Sequence, residues 1–316
     1  MSFIQKAFRN LHPLIQFVFI ICVSLSGMGL AVFFGTFISA WICGTGASLT
    51  ELISAMGNME NKPGICANLI LNSINQILAF GAAGLAFTIL HGSAPGVGFS
   101  SKGKNINLNK FLIGAVIITL GFSPFLDLTY RLNEWLLVDG STIHTMAAAL
   151  EAEAMRITMA MLKMETSQQF FATLFAVAVL PAVCEEWLFR GAIQPIFAKW
   201  SGNIHIGIWV SAFLFSAIHF QFFGFLPRLL LGAGFGYMVV ASGSLWPAVL
   251  GHFVNNGVAG FSAWWLGPEW LAEGMNPSEG SLGLAEAITS AIGAAAIIGS
   301  VWWLKGKTKF LEVRSQ

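Results

Sequence analysis

Long apolar stretches recur along this chain, and no other feature restricts its fold as much. About 20 consecutive apolar residues cross a bilayer as a helix. Such stretches lie near 14–42, 65–90, 110–127, 168–190, 205–223, 227–242, 246–266 and 284–304. Of 316 residues, 56% are hydrophobic and 10% charged, and the mean hydropathy of +0.73 is higher than a water-facing surface allows. Backbone groups in hydrocarbon must satisfy their own hydrogen bonds. The expectation is an all-α polytopic membrane protein with about eight transmembrane helices, a single membrane domain over 1–316 and a polar cavity within the membrane.

The flanking charges give that count an orientation. Lys6 and Arg9 precede the first stretch, Lys102, Lys104 and Lys110 separate the second from the third, Lys199 follows the fourth, and Lys305, Lys307, Lys309 and Arg314 follow the eighth. The positive-inside rule places these on the cytoplasmic side, with both termini. The connections carrying Glu51 and Glu60, and then Glu269, Glu273 and Glu279, read as outside. The apolar run after Arg9 is too long for a cleavable signal peptide, so the first span is expected to be retained. A net charge of +1 without a basic stripe excludes nucleic acid as a partner. The integral membrane location suits a bacterial inner membrane or a eukaryotic internal one.

Cys22, Cys43, Cys66 and Cys184 show no zinc-site spacing and read as small apolar fillers. Cys43 and Cys66 flank the first outer connection, which leaves a disulfide open in an oxidising compartment. Trp200, Trp246, Trp264, Trp265, Trp270, Trp302 and Trp303 near span ends form an interfacial belt. The stretch 142–166, with Glu151, Glu153 and Arg156 among helix formers, reads as an amphipathic helix at the outer surface.

Charges inside hydrocarbon cost several kcal/mol or more unless paired or hydrated, and three spans carry polar groups of catalytic type. The fourth has Glu185, Glu186 and Arg190, the fifth Phe215 and His219, the seventh His252, Asn255 and Asn256. Residues four apart share a helical face. Glu186 and Arg190 are therefore expected to pair, leaving Glu185 on another face, and His252 is expected to point with Asn256 at one site. The remaining spans bring almost no such groups. A carboxylate with an imidazole can deprotonate a water, and a second imidazole with a carboxamide can donate to an oxyanion. No serine or cysteine stands beside a base, so water is the expected nucleophile.

The order Glu185-Glu186-x-x-x-Arg190, Phe215-x-x-x-His219 and His252-x-x-x-Asn256, with the approach from Ser242 to His252, resembles the CPBP family of intramembrane proteases, also called type II CAAX endopeptidases or the Abi family. The resemblance covers a catalytic core of roughly 168–260. It implies a CAAX-type intramembrane endopeptidase in which Glu185 is the base, His219 holds the water, and His252 and Asn256 stabilise the oxyanion. Glu186 and Arg190 support the site and Phe215 packs beside it. The implied partner is a membrane-associated peptide or protein, lipidated in some members. The family has been described as metalloproteases, which leaves a divalent metal such as zinc on Glu185, His219 and His252 as one option, although the His-Glu-x-x-His spacing is absent.

Simple alternation of spans strains this single site. It puts His219 toward the outer end of its span and His252 toward the inner end of its own, about 10 Å apart in depth. Two other classes also accommodate the residues: a non-catalytic partner-binding or immunity-type relative, and a proton-coupled transporter, which would commonly show an inverted repeat that is not found here.

Overall fold

The computed structural model describes residues 2–58, 61–92, 107–136, 141–268 and 284–305. Among the described residues every regular element is helical. Long helices occupy the expected stretches: α1 Pro13–Cys43, α2 Lys62–His91, α3 Leu108–Leu136, α4 Ser167–Ser201, α5 Ile204–Ala217, α6 Phe225–Ser242, α7 Trp246–Leu266 and α8 Leu284–Lys305. By length and apolarity alone α1, α2, α4 and α6 can cross a membrane, and shorter apolar helical stretches lie in α3, α5 and α8. Phe33, Trp41 and Trp265 are exposed, as side chains facing lipid should be. The chain is an integral membrane protein. Lys102, Lys104, Lys307, Lys309 and Arg314, with Glu60, Glu269, Glu273, Glu279 and Trp270, lie outside the described residues.

The helix ends follow local chemistry. Pro13 opens α1, and the αL residue Gly44 closes it. Asn61 caps α2 by accepting from the N–H of Gly64, and Thr166 and Gln169 form a capping box at α4. Beside α1, the short helices Phe3–Asn10 and Leu49–Gly57 complete the N-terminal region. Cys43 and Cys66 form a disulfide that ties the end of α1 to the start of α2. Gly27 on α1 faces the backbone of α2 so closely that a Cβ there would lie 2.0 Å from the Leu78 carbonyl oxygen. The stretch expected as an outer amphipathic helix is helical over Thr142–Met161.

Among the described residues, three π-turns interrupt this regularity: Gln76–Gly81 in α2, and Phe175–Val179 and Phe189–Ile193 in α4. Pro181 follows the first α4 turn and Pro195 the second. A proline inside a helix has no N–H for the carbonyl four residues back and its ring crowds that carbonyl. A widened turn relieves the crowding while the helix continues. Thus α4 runs on to Ser201, past the expected end at 190.

The fifth span is shorter than the sequence suggests. Its helix stops at Ala217 instead of 223, and Phe220 takes a left-handed φ of 53°. Fourteen residues rise only about 21 Å, short of the ~30 Å hydrocarbon thickness. His219 sits in the turn after this helix, and the Phe215 ring lies 5.2 Å from His219 and 5.7 Å from His252, so the separation expected from simple alternation does not arise.

Candidate active site

The site is built around α4. Between its two π-turns, Glu186 and Arg190 form the expected i,i+4 ion pair at 2.9 Å with both side chains fully buried. The arginine is held on other sides as well. It donates to the Gly232 carbonyl at 2.8 Å, and its guanidinium lies 4.6 Å from the centroid of the Phe215 ring. A Cβ at Gly232 would come within 2.9 Å of Nη2 and would push the guanidinium from its place. Phe215 also meets Phe189, His219 and His252 edge-on, with centroids 5.2–5.7 Å apart, so one ring packs three spans together.

His252 joins the two carboxylates. Its Nδ1 is 3.0 Å from Oε1 of Glu186, the oxygen that also accepts from Arg190, and its Nε2 is 3.9 Å from Oε2 of Glu185. A carboxylate only accepts, so Nδ1 carries the proton. Phe235 stacks on the imidazole at 5.8 Å. His219 is oriented similarly by its own helix: Nδ1 donates to the Phe215 carbonyl at 2.8 Å, which leaves Nε2 as the acceptor. His219 interacts electrostatically with both Glu185 and His252.

Asn256 has a different neighbour from the one expected. It donates to the Val177 carbonyl at 3.0 Å and accepts from Asn255 at 3.1 Å. Val177 is the residue whose α-helical donor would be Pro181, so the carboxamide fills the vacancy that the proline creates. Asn72 of α2 donates to the Ala176 carbonyl at 2.9 Å, whose α-helical donor, the N–H of Leu180, goes to Phe175 in the π-turn instead. One N–H of Asn256 is thus committed to the backbone and its second remains for other work.

Gln76 of α2 escaped the sequence reading, which found almost no polar groups in the other spans. Its Nε2 donates to Oε1 of Glu185 at 2.8 Å, and the side chain is buried. A signal was present: Asn68, Asn72 and Gln76 recur every fourth residue and put carboxamides on one face of an apolar helix. Oε1 of Gln76, Oε2 of Glu185 and Oε2 of Glu186 are buried acceptors with no hydrogen-bond partner.

Neighbouring helices pin the turn that carries His219. Arg228 of α6 donates to the side chain of Gln221 at 2.7 Å, and Asn133 of α3 donates to the carbonyls of Phe222 and Phe223. Glu151, on the helix Thr142–Met161, accepts from the backbone of Phe223 and Gly224, and burial holds its carboxyl above the usual range. The metal option fares worse. Among the described residues no group of three or more His, Cys, Asp or Glu side chains is arranged to hold a metal ion. The set Glu185, His219 and His252 does not fit one.

Fold and centre together define an α-helical membrane protein whose buried Glu–His cluster is assembled from separate spans. Residues 167–258 match the family described as Rce1-like, type II CAAX prenyl endopeptidase Rce1-like. At family level this supports a CAAX-type protease. The match runs from α4 into α7 and holds all seven motif residues, while Asn72 and Gln76 lie outside it. Neither the curated proteins nor the solved structures yield a match to the chain.

Proposed function

We propose that the protein is an intramembrane endopeptidase in which Glu185 activates a water to hydrolyse a peptide bond of a membrane-associated, lipidated peptide or protein. The observation that carries this reading is the state of one carboxylate. Oε1 of Glu185 is held by Gln76, while Oε2 is buried, unpartnered and 3.9 Å from an imidazole nitrogen. An acceptor so placed suits a general base.

Water bound between Oε2 of Glu185 and Nε2 of His219 attacks the scissile carbonyl, and its proton passes to Glu185. The resulting oxyanion needs donors. His252 supplies one only when doubly protonated, because its Nδ1 proton already points at Glu186; the second N–H of Asn256 supplies another. Glu186, paired with Arg190, holds the imidazole and offsets its charge. Glu185 then returns the proton to the departing amine, giving a new carboxyl end and a free amine. Lys6, Arg9, Lys110 and Lys199 support cytoplasmic termini, and the Cys43–Cys66 disulfide supports an oxidising space at the other end of α1.

The test is product mass from purified protein incubated with S-prenylated peptides in detergent micelles. Glu185→Gln should retain peptide binding while hydrolysis falls at least ~100-fold. Undiminished cleavage by that variant rules out the base. A cellular function that survives the substitution favours a partner-binding protein.

A further inference from the structure

Gln76 stands outside the segment matched to the family, on a π-turn, and makes the one direct hydrogen bond given to the Glu185 carboxylate among the described residues. We infer that Gln76 is the positioning residue of the base: it fixes the Glu185 carboxylate through Oε1 so that Oε2 alone meets the water. This rests on the reading of Glu185 as base.

The amide is oriented by chemistry. An ionised carboxylate only accepts, so the atom at 2.8 Å must be the NH2 nitrogen, and the carboxamide oxygen necessarily points elsewhere. That oxygen is buried and finds no partner. A buried acceptor left unmade costs about as much as a lost hydrogen bond, so the unpaired amide oxygen offsets much of what the bond to Glu185 contributes to folding. The bond also holds the carboxylate in one rotamer and leaves Oε2 as its unpartnered oxygen. The π-turn contributes geometry, because one extra residue per turn shifts the direction in which Gln76 projects relative to a regular α2.

Other groups act on Glu185 from every side. Cys184 and Arg190 are on its own helix, His219 follows α5, Arg228 is on α6 and His252 is on α7. Gln76 is the contribution of α2, and it is uncharged. Its removal therefore changes the base without altering the net charge of the centre.

The experiment is Gln76→Leu in the full-length protein, measured with the same prenylated peptide beside wild type and Glu185→Gln. Expected are a kcat lower by ~10-fold, an unchanged KM and thermal stability close to wild type. Gln76→Glu, isosteric but a donor only when protonated, should lower kcat further, still with an unchanged KM. Reduced stability in Gln76→Leu with kcat unmoved would make the residue merely structural. If Glu185→Gln is inactive while Gln76→Leu keeps wild-type kcat, the base stands and this inference falls. If Glu185→Gln hydrolyses normally, the base itself has failed. The infrared carboxylate stretch that Glu185→Gln removes gives the same answer without turnover: an unshifted band in Gln76→Leu overturns the assignment.

Discussion

Helices α1 and α4 both belong in the membrane, yet they meet different surroundings. The most apolar window of α1 has a mean hydropathy of 2.5 and only 17% of it is enclosed by protein; the corresponding window of α4 has 1.6 and is 50% enclosed. Hydropathy in this molecule therefore reports contact with lipid more than burial in the fold. Where α1 does touch its neighbours it uses Gly27, Ala31, Gly35 and Ser39, small residues at four-residue spacing that let another helix approach. The enclosed helix can carry charge because protein atoms replace water around it. Glu186 and Arg190 have 0% side-chain exposure, and each finds its partner among α4, α6 and α7.

The contrast breaks most directly at Arg190. Arg190→Ala leaves Glu186 buried with half its pairing gone, and about 3–5 kcal/mol of stability should be lost, read as denaturant unfolding in mixed micelles. A loss no larger than that of a lipid-facing substitution would show that the enclosed centre is wet. Next comes Gly27→Leu on α1, which cannot be accommodated without separating α1 from α2 and should cost about 1–3 kcal/mol; an unchanged midpoint would mean that the close approach is absent.

A smaller effect concerns Glu151, whose folded-state carboxyl lies above its usual pKa of 4.5 because burial disfavours the charge. Its raised value means that the folded state holds the proton more tightly, so its contribution is full below the unfolded pKa and is lost as pH rises through the folded one. Thermal midpoints measured from acid to neutral pH should fall more steeply for wild type than for Glu151→Gln. Parallel curves would dissociate this carboxyl from stability. Smallest is Phe33→Leu on the lipid face of α1, expected within about 0.5 kcal/mol of wild type; a greater loss in the same unfolding assay would place a protein contact there.

Much of this arrangement could be read from residues because its signals are local. Apolar length marks spans, and i,i+4 spacing marks the Glu186–Arg190 pair. The partner of Asn256 could not be read that way, since it depends on a carbonyl in another helix that Pro181 leaves unpaired. The same holds for His252, whose contacts with Glu186 and Glu185 cross from α7 to α4. Gln76 was overlooked for a different reason: an uncharged carboxamide hardly lowers the hydropathy of a span, although its four-residue spacing from Asn72 was visible. His219 was placed too far along a helix because nothing in an apolar run announces the left-handed turn at Phe220.

The π-turns of α4 carry a consequence for how this chain can tolerate insertions and deletions. Each is equivalent to one residue inserted into an α-helix. Deleting a residue within Phe175–Val179 would return that turn to ordinary winding and leave the residues after it facing much as they do now. Deleting one between Leu180 and Cys184, where no widened turn can absorb the loss, would rotate the carboxylates of Glu185 and Glu186 by about 100° away from Gln76 and His252 although no side chain of the centre had been altered. Compensating with one residue inserted beyond Ile193 would restore the far end of the helix but not the carboxylates. The reading frame of α4 between its two prolines is thus as much a part of the centre as the residues it presents.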